Sequence, residues 1–230
     1  MITLNRRTAI AGFTAGCGLL VLPVAARAQF GSGGLNLSAI LGKATDSALD
    51  KLAQPGAYFN DEDIRIGLPI VGGGSSGLLG SIMSGASKLG VLDGVTRQIN
   101  DAAGIAAGEA KPIFRDAIDN LSFSDAPGIM KENDGGTQYL RNSSNDALHA
   151  KLSPLIDSAL ESLGVYKTFD GLAEQHSFIG QAGLNRETIT TSVTDQGLDG
   201  IFNYVGKEEA EFRKDPVGNV TKSLGDLFGS

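Results

Sequence analysis

Apolar residues recur every three or four positions along most of this 230-residue chain, which is the spacing that places side chains on one face of an α-helix. The pattern covers four long stretches and one shorter one: 35–52, 95–121, 137–163, 194–214 and 217–227. Only DIRIGLPIV and ETITTSV have the composition of strands, and strands and helices do not alternate regularly. The sequence therefore predicts an all-α or nearly all-α fold, an irregular multi-helix bundle.

Two of the predicted helices contain an interior proline. Pro112 lies within 95–121, and Pro154 lies within 137–163. A proline inside a helix removes one backbone N–H donor and its ring collides with the preceding turn, so it kinks or splits the helix. We therefore expect two long Pro-interrupted helices in the bundle.

The N-terminus has the three parts of an export signal. A basic pair, Arg6-Arg7, precedes an uncharged stretch, and Ala26-Arg27-Ala28 forms an A-x-A cleavage site. This pattern predicts cleavage after Ala28 and a periplasmic mature protein. The paired arginines favour the twin-arginine route over general secretion. A lipoprotein interpretation based on Cys17 is weaker, because a second apolar run follows that cysteine.

The composition of the mature chain excludes several classes of function. The net charge of the whole chain is −7, and residues 1–28 contain three arginines and no acid, so the mature charge is −10. No basic segment follows Arg27, which argues against nucleic acid as a partner and against a polybasic membrane contact. The mature chain has no cysteine and no transmembrane anchor. We expect a flexible lead-in over 29–34 and a single helical domain over 35–229.

A Gly/Ser-rich run at 72–77 matches the G-x-S-x-G pattern of a hydrolase nucleophile elbow, with Ser75 as the nucleophile. That elbow needs a sheet of several strands, which the sequence does not provide. A phosphate-binding loop also fails, because Leu78-Leu79 stands where Lys-Ser/Thr is required. The run is therefore interpreted as a flexible linker.

The histidines and acidic residues form no recognisable metal motif. His149 and His176 are too far apart for zinc-binding spacing, and a local pair with Asp146 is the simpler interpretation of His149. The acids in FNDEDIR lack the pattern of a calcium loop and are interpreted as an acidic helix start. No cofactor and no metal site is predicted.

The stretch GLDGIFNYVGKEEAEFRKDP, residues 197–216, resembles the hallmark of an exported bacterial family, domain of unknown function 4197. Further similar segments are IRIGLP, INDAAGIAAGEAKPIFRDAI, SDAPGIM and GTQYLR, so that the resemblance extends from Leu35 to Gly229. Gly104 departs from the glutamate expected there, and the Gly/Ser run interrupts a more continuous helix. The resemblance implies an exported, helical, uncharacterised protein and supplies no catalytic residue.

Within the hallmark, the apolar residues form one helical stripe that is expected to be core. The residues interpreted as a solvated face are Lys207, Glu208, Glu211 and Lys214. The candidate binding residues are Asp199, Glu208, Glu209 and Arg213. Glu209 and Arg213 have the i, i+4 spacing of a helical ion pair. Asp199 and Glu209 are ten residues apart, roughly 15 Å along a helix, so one helix alone cannot bring them to a shared ion.

Three functions are compatible with these features. The favoured one is a non-enzymatic periplasmic or envelope binding or scaffold module with a protein or envelope partner. The first alternative is a carboxylate- or metal-dependent enzyme that uses the acidic C-terminal helix. The second is a carrier of a small apolar ligand or lipid, which would need a sizeable apolar cavity between helices.

Overall fold

The computed structural model describes residues 32–68, 91–122, 129, 131–175 and 184–214, all of which belong to a unit that runs from Ser32 to Ser230. These residues form helices and no strand, so the predicted all-α class is confirmed. The helices are α1 (Ser32–Leu52), α2 (Ala57–Asn60), α3 (Val91–Glu109), α4 (Lys111–Asp119), α5 (Gly135–Ser162), α6 (Val165–Gln175) and α7 (Arg186–Lys214). Within these ranges, no helix is both long enough and apolar enough to cross a bilayer.

The two strand-like segments do not form strands where they are described. ETITTSV lies inside α7, which begins at Arg186 rather than at the predicted Thr194. Residues 61–68 form turns and irregular chain, so the acids of FNDEDIR do not start a helix. The Gly/Ser run at 72–77, His176 and the predicted 217–227 helix lie outside the described residues.

The prediction of two Pro-interrupted helices is not confirmed. Helix α5 continues through Pro154 without a break. Both Pro154 and Ala150, whose carbonyl loses its helical donor, are exposed, so water can satisfy that carbonyl. At the other site, α3 and α4 are separated at Ala110, and Pro112 lies in the first turn of α4, where its missing N–H costs nothing.

Helix α7 lies at the centre of the bundle and packs most extensively against α5 and α1. The predicted apolar stripe is confirmed as core: Leu198, Ile201, Phe202 and Val205 are at most 3% exposed, and Phe212 packs against the same cluster. The ring of Phe202 contacts that of Phe114 edge-on, with centroids 6.1 Å apart.

The alanine-lined face of α3 is fully buried, with Ala103, Ala106 and Ala107 at most 2% exposed. These small side chains allow neighbouring helix backbones to approach closely. A small cavity where this face meets α2, α5 and α7 has a volume of about 10 Å³. That space is about the size needed for one water molecule. It is far too small for a lipid.

The irregular segment 61–68 is fixed by side-chain hydrogen bonds, buried at Asn100 and partly exposed at Tyr204, instead of by secondary structure. The side-chain amide of Asn100 accepts a hydrogen bond from Ile66 N at 2.8 Å and donates one to Ile66 O at 2.9 Å. Tyr204 Oη donates to Asp61 Oδ2 at 2.7 Å, which lowers the pKa of Asp61 and raises that of Tyr204 to about 12. Because burial without hydrogen bonds would be costly, these bonds are what allow non-helical backbone to pack on the bundle.

An ionic cluster joins α5, α6 and the start of α7. Arg186 donates to both carboxylate oxygens of Asp157, at 2.8 and 2.7 Å. Tyr166 Oη also donates to Asp157, at 2.7 Å. The hydrogen bonds from Arg186, with smaller contributions from Tyr166, hold the pKa of the Asp157 carboxyl below its ordinary value.

Candidate functional site

The four candidate residues all lie on α7, but they have three different environments. Glu209 and Arg213 are inside the bundle, Glu208 is at the junction with α1, and Asp199 is on the surface. No group of three or more carboxylate, imidazole or thiol side chains that could hold a metal ion exists among the described residues. The hallmark acids therefore do not converge on one centre.

Glu209 is a fully buried carboxylate that caps the N-terminus of another helix. Its Oε1 accepts from Gly136 N at 2.9 Å, and its Oε2 accepts from Thr137 N and from Thr137 Oγ1, each at 2.7 Å. The residue that precedes α5, Asp134, makes no side-chain cap of its own. Glu209 thus replaces the local cap, and its negative charge lies at the positive end of the α5 dipole.

Arg213 completes this buried arrangement. Its Nε and Nη2 donate to Glu209 Oε1 at 3.0 and 2.5 Å, and the side chain of Arg213 is only 13% exposed. The predicted i, i+4 pair exists. Because it is buried and shares its carboxylate with a helix end, it does not behave as a weak surface pair.

The glycines at the start of α5 explain how Glu209 can come so close. A Cβ on Gly136 would lie 2.7 Å from Glu209 Oε1 and 3.0 Å from Leu37 Cδ1. A Cβ on Gly135 would lie 1.9 Å from Ile129 O. Gly136 and Thr137 therefore bind the Glu209 carboxylate, and Gly135 allows the chain to pass close to Ile129. No local pattern in the sequence indicates this contact.

Glu208 connects α7 to α1 at the edge of the core. It forms an ion pair with Lys51 and accepts a hydrogen bond from Ser47 Oγ at 2.7 Å. Its side chain is 14% exposed. The interpretation of Glu208 as part of a solvated face is therefore wrong, because α1 covers that side of α7.

Asp199 forms an ion pair with Arg141 on the surface, where the side chains are 61% and 48% exposed. The guanidinium of Arg141 also lies over the ring of Phe202, 5.4 Å from its centroid. These contacts place Asp199 in a surface depression between α5, α7 and the 61–68 segment.

We call this depression the polar groove; its volume is about 460 Å³. Charged and amide side chains dominate its lining, which consists of Asp63, Ile64, Arg65, Asp134, Thr137, Gln138, Arg141, Gln196, Asp199, Gly200, Phe202 and Asn203. Sequence reasoning identified only Asp199 among them. The available signal was helical spacing: Asp199 and Asn203 are four residues apart on α7, and Gln138 and Arg141 are three apart on α5.

The floor of the groove depends on close packing at Gly200. A Cβ there would lie 2.7 Å from Tyr58 Cε1, and Tyr58 Oη donates to Gly197 O at 3.0 Å. Burial is the main reason that the pKa of the Tyr58 hydroxyl is raised far above its ordinary value, so the group stays protonated as this donor. The G-L-D-G segment thus receives a tyrosine on one side and presents Asp199 to solvent on the other.

His149 faces Asp195 of α7 rather than the predicted Asp146. Its Nε2 lies 3.3 Å from Asp195 Oδ1, without the alignment of a hydrogen bond. The side chain of His149 is 27% exposed. The reason for the difference is that α7 packs along this side of α5, which the sequence of α5 does not specify.

Comparison with known proteins gives one match. A family model described as "Protein of unknown function (DUF4197)" matches residues 32–229. Searches of curated proteins and of solved structures found no match.

Proposed function

The chain belongs to the DUF4197 family of proteins of unknown function, which brings no activity with it, and we propose from the geometry of its own residues that it is a non-enzymatic binding or scaffold module of the bacterial envelope.

The observation that carries this proposal is the use of the acidic pair in the hallmark helix. Glu209 has no exposed surface, and its carboxylate accepts five hydrogen bonds from the protein itself. A catalytic carboxylate must reach a substrate, and its geometry must place it within hydrogen-bond distance of a reacting group. Glu209 instead holds α5 against α7, and Glu208 holds α1 against α7.

The envelope location rests on the sequence of the first 28 residues. Their basic pair, uncharged stretch and A-x-A site support export followed by cleavage. A soluble acidic domain released on that side of the membrane meets envelope proteins and glycans.

The polar groove is the binding surface that we assign to the module. It presents side chains from two helices and one irregular segment, all anchored to the bundle by the contacts described above. Rigid presentation of this kind lowers the entropic cost of binding.

A photo-reactive amino acid introduced at single sites in living cells tests the proposal. Asn203 is exposed in the groove, and Asp170 is an exposed control position on α6. We expect a covalent product from the probe at position 203 and none from the probe at position 170. Equal labelling at both positions, or no product at position 203, would contradict the proposal.

A further inference from the structure

We infer that the polar groove takes a polyhydroxylated ligand, a segment of glycan, in preference to an ionic or an apolar one. This inference deepens the proposed function, because it assigns a chemical class of ligand to the binding surface named there. Four observations support it: the size of the groove, its balance of charge, its pairing of donors with acceptors, and the rigidity of its frame.

The size of the groove suits a short oligosaccharide segment. Its volume of about 460 Å³ falls within the range of small-molecule sites. Most sites of that size are lined by apolar side chains, whereas here Ile64 and Phe202 are the only large apolar residues in the lining, and both are at least 94% buried. An apolar ligand would therefore displace water from these charged and amide groups without offering them hydrogen bonds in return, which is unfavourable.

The charges in the lining nearly cancel. Three aspartates, Asp63, Asp134 and Asp199, stand against two arginines, Arg65 and Arg141, which leaves a formal charge of −1. Arg65 is already engaged, since its Nε donates to Phe59 O at 2.5 Å. The aspartates would repel a strongly anionic ligand, and Arg141 would repel a strongly cationic one. A neutral ligand rich in hydroxyl groups avoids both kinds of electrostatic repulsion.

Asp199 and Arg141 together offer the complement of two neighbouring hydroxyl groups. A hydroxyl donates one hydrogen bond and accepts others, so one hydroxyl can donate to the carboxylate while its neighbour accepts from the guanidinium. Hydrogen bonds to charged groups are the stronger kind. The existing ion pair costs little to rearrange, because both side chains are about half exposed.

The frame that holds these groups is rigid at its base. The N-terminus of α5, from which Gln138 and Arg141 project, is fixed by the buried Glu209 carboxylate. The opposite wall is tied to α7, because Gly67 N donates to Gln196 Oε1 at 2.9 Å. A site that exists before the ligand arrives avoids the cost of ordering its walls.

A titration followed by NMR tests the inference. The protein from Gln29 to Ser230, labelled with nitrogen-15, is titrated into the millimolar range with two neutral probes, a soluble N-acetylglucosamine tetramer and maltotetraose. We expect saturable shifts of the side-chain amides of Gln138 and Asn203 with at least one of them. Asp199→Asn should weaken that binding about tenfold, the effect of one lost hydrogen bond to a charged group.

The matched control is Asp116→Asn, which breaks an ion pair with Lys151 whose side chains are exposed to nearly the same extent, 57% and 52%. This variant should leave the titration unchanged. Acetate and arginine amide serve as ionic probes, and saturable binding of either one to the groove in place of the neutral probes would overturn the inference.

The result also separates this inference from the proposed function. If no glycan probe binds but the photo-reactive group at Asn203 still yields its product in cells, the ligand class is wrong and the binding surface stands. If neither experiment gives a signal at the groove, both are wrong. Shifts that are spread over the whole surface and do not saturate would likewise overturn the inference.

Discussion

Replacing Glu209 by glutamine removes one charge from the centre of the bundle without changing its shape. In the unaltered protein, Gly136 N–H, Thr137 N–H and the Thr137 hydroxyl all donate to the Glu209 carboxylate. The glutamine amide keeps only one acceptor oxygen. Its NH₂ group must therefore face either the Gly136 donor or the two Thr137 donors. Arg213, only 13% exposed, also loses its partner charge. Glu209→Gln therefore breaks a buried ion pair and leaves buried donors unsatisfied.

The magnitude follows from those losses. Breaking a buried, hydrogen-bonded pair by removing one partner costs about 3 to 5 kcal/mol. For a folded unit of this size, each kcal/mol corresponds to a change of about 2 to 4 °C in melting temperature, so we expect a drop of about 6 to 20 °C. Urea unfolding monitored by circular dichroism measures the free energy of unfolding directly.

The neighbouring residue is the control. Glu208→Gln removes an equal charge from the adjacent position, but its partner Lys51 is 56% exposed, so we expect a loss of no more than about 1 kcal/mol. If the free energy of unfolding of Glu209→Gln lies within about 1 kcal/mol of that of the unaltered protein, the interpretation of Glu209 as a structural cap is wrong. A large loss in Glu208→Gln would show instead that the α1 junction dominates stability.

The remaining predictions concern the glycine at the capped helix end, acid stability and export. Gly136→Ala should destabilise the protein, because the new Cβ would lie 2.7 Å from the capping carboxylate. The control Gly94→Ala, whose Cβ would meet no atom within 4 Å, should be neutral or stabilising by up to about 1 kcal/mol. Urea unfolding measures the free energy of unfolding of both variants. Because the pKa of Asp157 is lowered from its ordinary 3.8, its stabilising contribution is present above that pH and is lost as the pH falls through the folded pKa. Asp157→Asn should accordingly reduce the dependence of the free energy of unfolding on pH in that acidic range. If a plot of that free energy against pH keeps the same slope, the stabilising role given to the Asp157 carboxylate is wrong. Replacing both Arg6 and Arg7 by lysine should block export if the twin-arginine route is used. Fractionation of cells that express the tagged chain measures this, and unchanged export would indicate general secretion instead.

Most of the helical fold could be predicted from the sequence, because the spacing of apolar residues is a local property. The stripe from Leu198 to Val205 is core in the structure because a helix that carries such a stripe has to bury it. The alanines of α3 recur at the same helical spacing and are likewise buried. The family resemblance, which extends from Leu35 to Gly229, also implied a helical protein.

Two local rules gave wrong boundaries. ETITTSV is rich in β-branched residues but lies in α7, since the buried side chains Ile189 and Val193 are one helical turn apart and pack into the core. The sequence also predicts that Pro154 interrupts its helix, an interruption that is not confirmed because α5 continues through it. For ETITTSV, tertiary packing outweighed a weak local propensity. At Pro154, the Ala150 carbonyl that loses its helical donor is exposed to water, which limits the cost of the missing hydrogen bond.

The candidate site depended on tertiary structure to a greater extent. Glu208 and Glu209 are adjacent and chemically identical, so the sequence assigned both to one acidic pair. Their positions on α7 differ by 100° of rotation, and this rotation alone directs Glu209 to the N-terminus of α5 and Glu208 to Lys51 on α1. The sequence by itself determined that α7 is an amphipathic helix carrying these acids, because periodicity is encoded residue by residue. Which helix each acid meets was decided only when α1, α5 and α7 packed together, because such contacts join residues 72 to 161 positions apart along the chain.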